Sequence, residues 1–261
     1  MKIKKMLFAA FLTAALLGGN SLFAQSSSYL NLGLNIPLGS FGNKGNTCAL
    51  FDASSTQGGA NLGANLGFKF INDTKLEGLG IMFSIEGMYN ELHKDINVES
   101  YLHTAIPEVI GLDVKIKNPR YINMPILFGL NYNYDISRAM GIYAEGGAGI
   151  NARFLVPCKM TASGEVNVLG TNIHTDCSYE YHYTPKVAFA FQFGGGIVLK
   201  KALTLGVHYY NLGTSIVSGY TNSHIKVSSS SQSFTETKDF SYDEGEGLST
   251  SMLIVRLGIH L

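Results

Sequence analysis

Tryptophan is absent from the 261 residues, and the chain holds only 6 prolines and 3 cysteines. Charge is scarce as well. Asp, Glu, Lys and Arg make up 15 % of residues, against about 25 % in ordinary soluble domains. The two signs cancel, 19 against 19, so no net positive field points to a nucleic-acid partner. Long apolar runs are missing too. Only the segment from Met6 to Leu17 approaches a helical span, and it falls short of the roughly 20 residues a bilayer-crossing helix needs. A helical membrane protein is thereby excluded. What is abundant is apolar surface, at 46 % of residues, with 30 glycines, 14 tyrosines and 15 phenylalanines. So apolar a chain can bury surface, which excludes disorder.

The first segment reads as an address. Lys2, Lys4 and Lys5 precede the apolar run, Gly18, Gly19 and Asn20 break it, and Ser21-Leu22-Phe23-Ala24 follow. This is the layout of a secretory signal peptide, with cleavage expected after Ala24. No cysteine follows the apolar run, which disfavours a lipid anchor. Residues 1–24 are therefore read as signal peptide and 25–261 as one exported domain.

That domain alternates with a period of two, the signature of strands with unlike faces. Leu30, Leu32, Leu34, Ile36 and Leu38 form one apolar row, and Leu62, Ala64, Leu66, Phe68 and Phe70 a second. Six more rows run through Ile81–Ile85, Ile122–Tyr132, Ile142–Phe154, Val187–Leu199, Leu203–Tyr209 and Val255–Leu261. The connections alternate between short turns (Asn72 to Gly78, Asp135 to Gly141, Lys200-Lys201) and long ones (about Gly39 to Gly58, Glu91 to Arg120, Leu155 to Thr184, Ser218 to Ser249). Short turns at one end and long loops at the other are the pattern of bacterial membrane barrels. The long loops carry strand-like runs of their own, Val166 to Ile173 and Ile225 to Tyr242. These are expected to extend the hairpins above the membrane, with a ten-stranded barrel as the alternative.

The row opposite the apolar one decides between a soluble and a membrane barrel. It is mostly Gly, Asn, Ser and Thr with few charges. Such a row makes a poor solvated exterior and a good lining for a narrow lumen. The apolar row is nearly free of charge, as hydrocarbon requires, since Lys or Arg at mid-depth costs about 2–4 kcal/mol. Within lipid every backbone group must pair, which demands closure. The expected fold is all-β: a closed antiparallel transmembrane β-barrel of about eight strands in the outer membrane of a Gram-negative bacterium. Tyr132, Tyr134, Tyr143 and Phe70 are expected near the periplasmic interface, where tyrosine can replace tryptophan in an aromatic girdle.

The expected lumen carries Lys69, Glu86, Glu145, Arg153, His208, Arg256 and His260. An eight-stranded barrel is just wide enough for side chains, and buried charges must pair. A salt-bridge and hydrogen-bond plug centred on Glu86, Glu145 and Arg256 follows, with a proton or ion path as the alternative. Pro125, in a barrel strand, is expected to force a bulge or a local break. Cys158 and Cys177 flank one external loop and are a candidate disulfide, which leaves Cys48 over. His174, Asp176, Cys177 and His182 suit a metal by type but match no site spacing, so no metal or cofactor is assigned. His93 and His103 have no Ser-centred motif or paired acids to work with. The reading is therefore not an enzyme.

Tyr121-Ile122-Asn123-Met124-Pro125-Ile126-Leu127-Phe128 resembles the Tyr-Leu-x-Ile-Pro-Leu-Leu-Leu strand of the PorT-like outer-membrane β-barrel family, common in Bacteroidetes. Gly194 to Lys201 followed by Leu203 to Gly213 is similar to that family's next-to-last hairpin, and Phe23-Ala24-Gln25 to its signal-peptide junctions. Asn123 and Gly129 depart from the pattern. The resemblance implies a barrel inserted by the barrel-assembly machinery. It leaves the role open, because the family includes secretion accessory factors. The expectation is a monomer in outer-membrane lipid whose long loops meet an external partner. A secretion or transport accessory factor, and a narrow pore or lipid-modifying barrel enzyme, stand as alternatives.

Overall fold

The computed structural model describes residues 26–44, 48–51, 55–93, 109–117, 120–168, 171–228, 233–242 and 246–261. The expected signal peptide lies outside the described residues. The elements are β1 (Ser26–Leu38), α1 (Gly39–Gly42), β2 (Ala60–Asp73), β3 (Leu79–Leu92), β4 (Val109–Lys117), β5 (Arg120–Asp135), β6 (Met140–Val156), β7 (Cys158–Val168), β8 (Thr171–Tyr183), β9 (Lys186–Leu199), β10 (Leu203–Ile216), β11 (Gly219–Ser228), β12 (Ser233–Tyr242) and β13 (Gly247–His260).

Eight strands close into an antiparallel barrel in the order β1–β13–β10–β9–β6–β5–β3–β2. These are the eight strands that carry the apolar rows. Both described termini and the three short turns lie at one end, called lower here. The strands are 13 to 17 residues long, more than the roughly 9–11 a tilted membrane strand needs.

The usual burial rule is inverted. Leu62, Phe128, Val187 and Phe189 are exposed, each by more than 60 %, while Asn31, Lys69, Glu86, Glu145, His208 and Arg256 are buried. An apolar wall around a polar interior suits a molecule whose solvent is hydrocarbon. The barrel is built as a Gram-negative outer-membrane protein is built.

The strand-like runs in the long loops do extend the hairpins. They pair as a separate five-stranded sheet, in the order β12–β11–β8–β7–β4, so the ten-stranded alternative is not realised. This sheet continues five consecutive barrel strands, β13, β10, β9, β6 and β5, one for one. Register carries across the break: Arg120 pairs with Val156 and Lys117 with Lys159, three residues further along both strands. What changes is the face. Asn151 and Arg153 are buried in the barrel, whereas Cys158 and Met160 are buried above it. The inward parity thus shifts by one residue at the gap between β6 and β7 and at the gap between β8 and β9, where Tyr179 and Tyr181 pack on the core while Ala190 and Gln192 face the lumen. Pro157 and Pro185 stand in these gaps, where a missing N–H forfeits no ladder bond.

Pro125 does what a proline in a closed barrel must. Its pairing with Asn151 on β6 is uninterrupted. On the β3 side the ladder skips from Ile85↔Ile126 to Met88↔Asn123 without a change of register. The result is a local gap beside Glu86, not a bulge.

The connection between β1 and β2 takes a different course from the other long loops. It turns into the upper mouth, where Phe41, Cys48, Ala49 and Leu50 are buried in one cluster with Tyr121, Leu212, Val217 and Leu248.

Candidate functional site: the barrel lumen

The lower lumen holds a ring of charge. Arg256 on β13 donates from Nη1 to Glu86 Oε1 on β3 at 2.8 Å and from Nη2 to Glu145 on β6. Lys69 on β2 reaches Glu145 Oε2 at 2.7 Å. Two cations therefore face two carboxylates, and the remaining acceptor positions are filled by neutral donors. Asn65 donates to Glu86 at 2.9 Å and Tyr210 at 2.7 Å, while Asn131 and Gln192 donate to Glu145 at 3.2 Å. This is what a buried ion cluster needs, because each lone pair left open in a dry interior adds to the desolvation cost.

His208 on β10 sits between the arginine and a carboxylate. Its Nε2 lies 2.9 Å from Arg256 Nη2 and 3.2 Å from Glu145 Oε1. An arginine can only donate. Where Nε2 accepts from Arg256, the ring proton sits on Nδ1, a buried atom with no hydrogen-bond partner among the described residues. Lys69 Nζ also lies over the rings of Tyr29 on β1 and Tyr143 on β6, at 5.1 and 5.0 Å, a cation–π arrangement. Every barrel strand thus contributes a side chain to this layer: Tyr29, Lys69, Glu86, Asn131, Glu145, Gln192, His208 and Arg256, from β1, β2, β3, β5, β6, β9, β10 and β13.

Glycine makes room for the ring. A Cβ on Gly67 would run into Glu86, and one on Gly206 into the Tyr143 hydroxyl. Below the ring the lumen opens into a vestibule of about 760 Å³ lined by Tyr29, Asp73, Lys75, Asp135, Lys201 and His260 among others. His260 therefore belongs to the mouth, not to the network. Above the ring Met88, Met252 and Ile254 are buried. The upper mouth is then stopped by the inserted loop. Tyr121 Oη donates to the Gly58 carbonyl at 2.5 Å, and the edge of the Phe41 ring meets Tyr121 with centroids 5.1 Å apart. Tyr183 of β8 donates to the Leu50 carbonyl at 3.1 Å.

Arg153 stands apart from the ring. It lies high in the lumen and donates to the Ser215 carbonyl at 2.6 Å and to the Leu248 carbonyl and Thr250 Oγ1 at 3.3 Å. It answers a fold problem. The β10–β13 register shifts between Asn211 and Thr214, where Gly213 takes a positive φ of 82°, and Arg153 supplies donors to carbonyls beside that irregularity.

Several residues of the ring were not singled out in the sequence. Tyr143 was expected in the outer girdle, but it faces inward and is buried. Its parity with Glu145 was the available signal. Tyr210 continues the row of Thr204, Gly206 and His208 by the same alternation. Cys158 and Cys177 are not bonded. Cys158 pairs with Tyr181 and Cys177 with Ala162. Four residues of offset put the two cysteines about 13 Å apart along the sheet, well beyond disulfide reach. Cys177 and Asp176 point to opposite faces of β8 by strand alternation, and among the described residues no group of three metal-ligating side chains forms. His93 caps the end of β3, its backbone N–H donating to Gly59 at 2.8 Å, and His103 lies outside the described residues.

No protein-family model matches the chain, and no curated protein matches it in sequence. The PorT-like resemblance therefore rests on the strand and hairpin quoted above. Solved outer-membrane structures are similar in outline. Ail, the attachment invasion locus protein of Yersinia pestis, is 9 % identical, with 90 % of this chain and 97 % of that one covered at a TM-score of 0.34. A major outer membrane protein from Thermus thermophilus is 8 % identical, with coverage of 90 % and 99 % and a TM-score of 0.37. CarO of Acinetobacter baumannii is 11 % identical, with coverage of 90 % and 97 % and a TM-score of 0.32. The fold assignment itself rests on the strand pairing, which closes without an edge.

Proposed function

We propose that this protein is a non-conducting outer-membrane barrel that acts through its extramembrane sheet, as a surface-interaction protein with a structural lumen. The observation that carries this reading is the double closure of the lumen. An ion ring drawing on all eight strands fills the lower half, and an apolar loop fills the upper mouth. A pore needs a continuous wet path, and a transporter needs a site open to one side at mid-depth. The charged groups here are bonded to one another and to Asn65, Tyr210, Asn131 and Gln192. Outside, the strands continue well past the bilayer as a five-stranded sheet, a large surface for a barrel with no path through it.

Planar-bilayer recording tests this. The purified barrel is expected to give no unitary conductance steps. Discrete, voltage-independent steps at ordinary salt would reject the closed-lumen reading. Protease shaving of whole cells tests the orientation separately, since only the long-loop side is expected to be cut.

A further inference from the structure

The five-stranded sheet ends at β12, which pairs with β11 through ten consecutive residues without a register shift. Among the described residues it has no partner on its other side. Ser233 to Ser241 are all exposed on both faces, with Phe234 at 61 % and Phe240 at 45 %. An unpaired, regular edge with exposed aromatics is a template for another strand. Its backbone polarity can be read directly. Ser223 on β11 donates its hydroxyl to the Lys238 carbonyl at 2.6 Å, so the backbone groups of Lys238 point toward β11. By alternation those of Ser233, Thr235, Thr237, Asp239 and Ser241 point to the free edge.

The order of side chains on this edge is self-complementary. Read outward from Thr237, the sequence Ser233-Phe234-Thr235-Glu236-Thr237-Lys238-Asp239-Phe240-Ser241 matches its own reverse by chemistry. An antiparallel partner centred on Thr237 sets Glu236 against Lys238, Phe234 against Phe240, Thr235 against Asp239 and Ser233 against Ser241. Thr237 meets Thr237 as a pair exchanging both backbone hydrogen bonds. Opposite charges and aromatic rings directly across an antiparallel ladder are favourable pairs. Lys238 Nζ already lies 5.1 Å from the Phe240 ring, so charge and aromatic share one face.

From this we propose that β12 is a homophilic contact, pairing antiparallel with β12 of a second copy about a two-fold axis through Thr237. Such a contact is isologous and closes on itself. Its direction has a consequence. All copies in one membrane carry β12 running the same way, down toward β13. An antiparallel partner must therefore come from a copy facing it, in an opposed membrane. The barrel stays monomeric within its own bilayer, and the contact joins one membrane to another. The proposal names the partner of the surface proposed above and rests on the sheet standing outside the bilayer.

The test uses the full protein reconstituted in two vesicle populations carrying donor and acceptor fluorophores. Protease added to intact vesicles first establishes that the sheet is outside. Energy transfer between populations is expected to rise with protein density. Glu236→Lys faces lysine with lysine and is expected to lose tethering when present on both populations. Lys238→Glu does the same with glutamates. Vesicles bearing Glu236→Lys mixed with vesicles bearing Lys238→Glu restore opposite pairs at both positions, and tethering is expected to return. The difference in electrophoretic mobility between unheated and boiled samples shows that each variant barrel is folded. Absence of tethering by the parent protein, tethering indifferent to both substitutions, or failure of the mixture to recover would overturn the proposal. Whole cells whose long loops resist protease shaving would instead overturn the surface reading on which it rests.

Discussion

The two ends of the lumen are closed by opposite means. The lower end is closed by charge: Arg256, Lys69, Glu86 and Glu145 sit on four different strands and are held by Tyr210, Asn65, Asn131 and Gln192. The upper end is closed by a loop, whose Phe41 and Leu50 are buried against Tyr121, Tyr183 and Leu212. Removing one member of a buried ion cluster strands its partners, so the lower closure is cooperative with the barrel itself. Removing an apolar side chain from a loop forfeits area and leaves a cavity, so the upper closure can loosen while the strands stay paired. The difference lies in which of the two closures the wall depends on.

The sharpest way to break this comparison is Glu145→Lys. The substitution removes the acceptor shared by Lys69, Arg256, Asn131 and Gln192 and adds a third cation to the cluster. Losing one partner of a buried pair costs about 3–5 kcal/mol, and the added like charge raises that. The expected outcome is a barrel that no longer folds in detergent, or one whose urea midpoint falls steeply. Unchanged stability would mean that the ring does not hold the wall together.

Phe41→Ala addresses the other end. Phe→Ala in a packed core costs about 3–5 kcal/mol. Here that loss is expected to fall on loop docking, so protease should cut residues 39–59 faster while the difference in mobility between unheated and boiled samples persists. A collapse of the barrel itself would erase the distinction between the two closures. Arg153→Met is smaller and tests the boundary between the regions. It strips donors from the Ser215 and Leu248 carbonyls, and unsatisfied buried groups cost about 1–3 kcal/mol. The loss is expected in equilibrium unfolding, with the β10–β13 bulge near Gly213 as the first place to exchange amide hydrogens.

The lower region was the more legible of the two. Strict period two puts Lys69, Glu86, Glu145, His208 and Arg256 on one face of five strands, and closure brings that face together whatever the shear. Counting from the short turns, Glu86, Glu145, His208 and Arg256 all fall in the lower half of the barrel. Tyr143 was misassigned because its residue type suggested a girdle while its parity pointed inward, and parity prevailed. The upper region had no such rule. Nothing in the period of β1 says that the chain after Leu38 turns into the mouth, since that depends on contacts between Phe41 and Tyr121, 80 positions apart by residue number. The Cys158–Cys177 pairing failed for a related reason. Two cysteines flanking a hairpin bond only if the register brings them opposite, and the register was set by the barrel pairing below, which puts Tyr181 across from Cys158.

The mildest probe of the upper closure is Cys158 itself. Burial pushes its thiol up to about 11, opposed by contact with the Tyr183 hydroxyl. Cys177 is also raised by burial but is only half-buried. The thiolate is the reactive form, so at pH 8 a thiol titrating near 11 offers about one reactive molecule in a thousand. Iodoacetamide is therefore expected to label Cys177 first and Cys158 slowly, with the Cys158 rate climbing as pH approaches 11. The stability sign follows from the same shift. A thiol whose folded value lies above its unfolded value adds stability that is fully present below about pH 9 and is lost as pH rises toward 11. Peptide mapping without reductant is expected to show no Cys158–Cys177 link. Because Tyr183 joins Cys158 to the Leu50 carbonyl of the inserted loop, Phe41→Ala should speed labelling of Cys158 more than that of Cys177. Equal acceleration at both would mean that the loop and the sheet loosen as one body, and the upper closure could then not be separated from the strands that extend above the membrane.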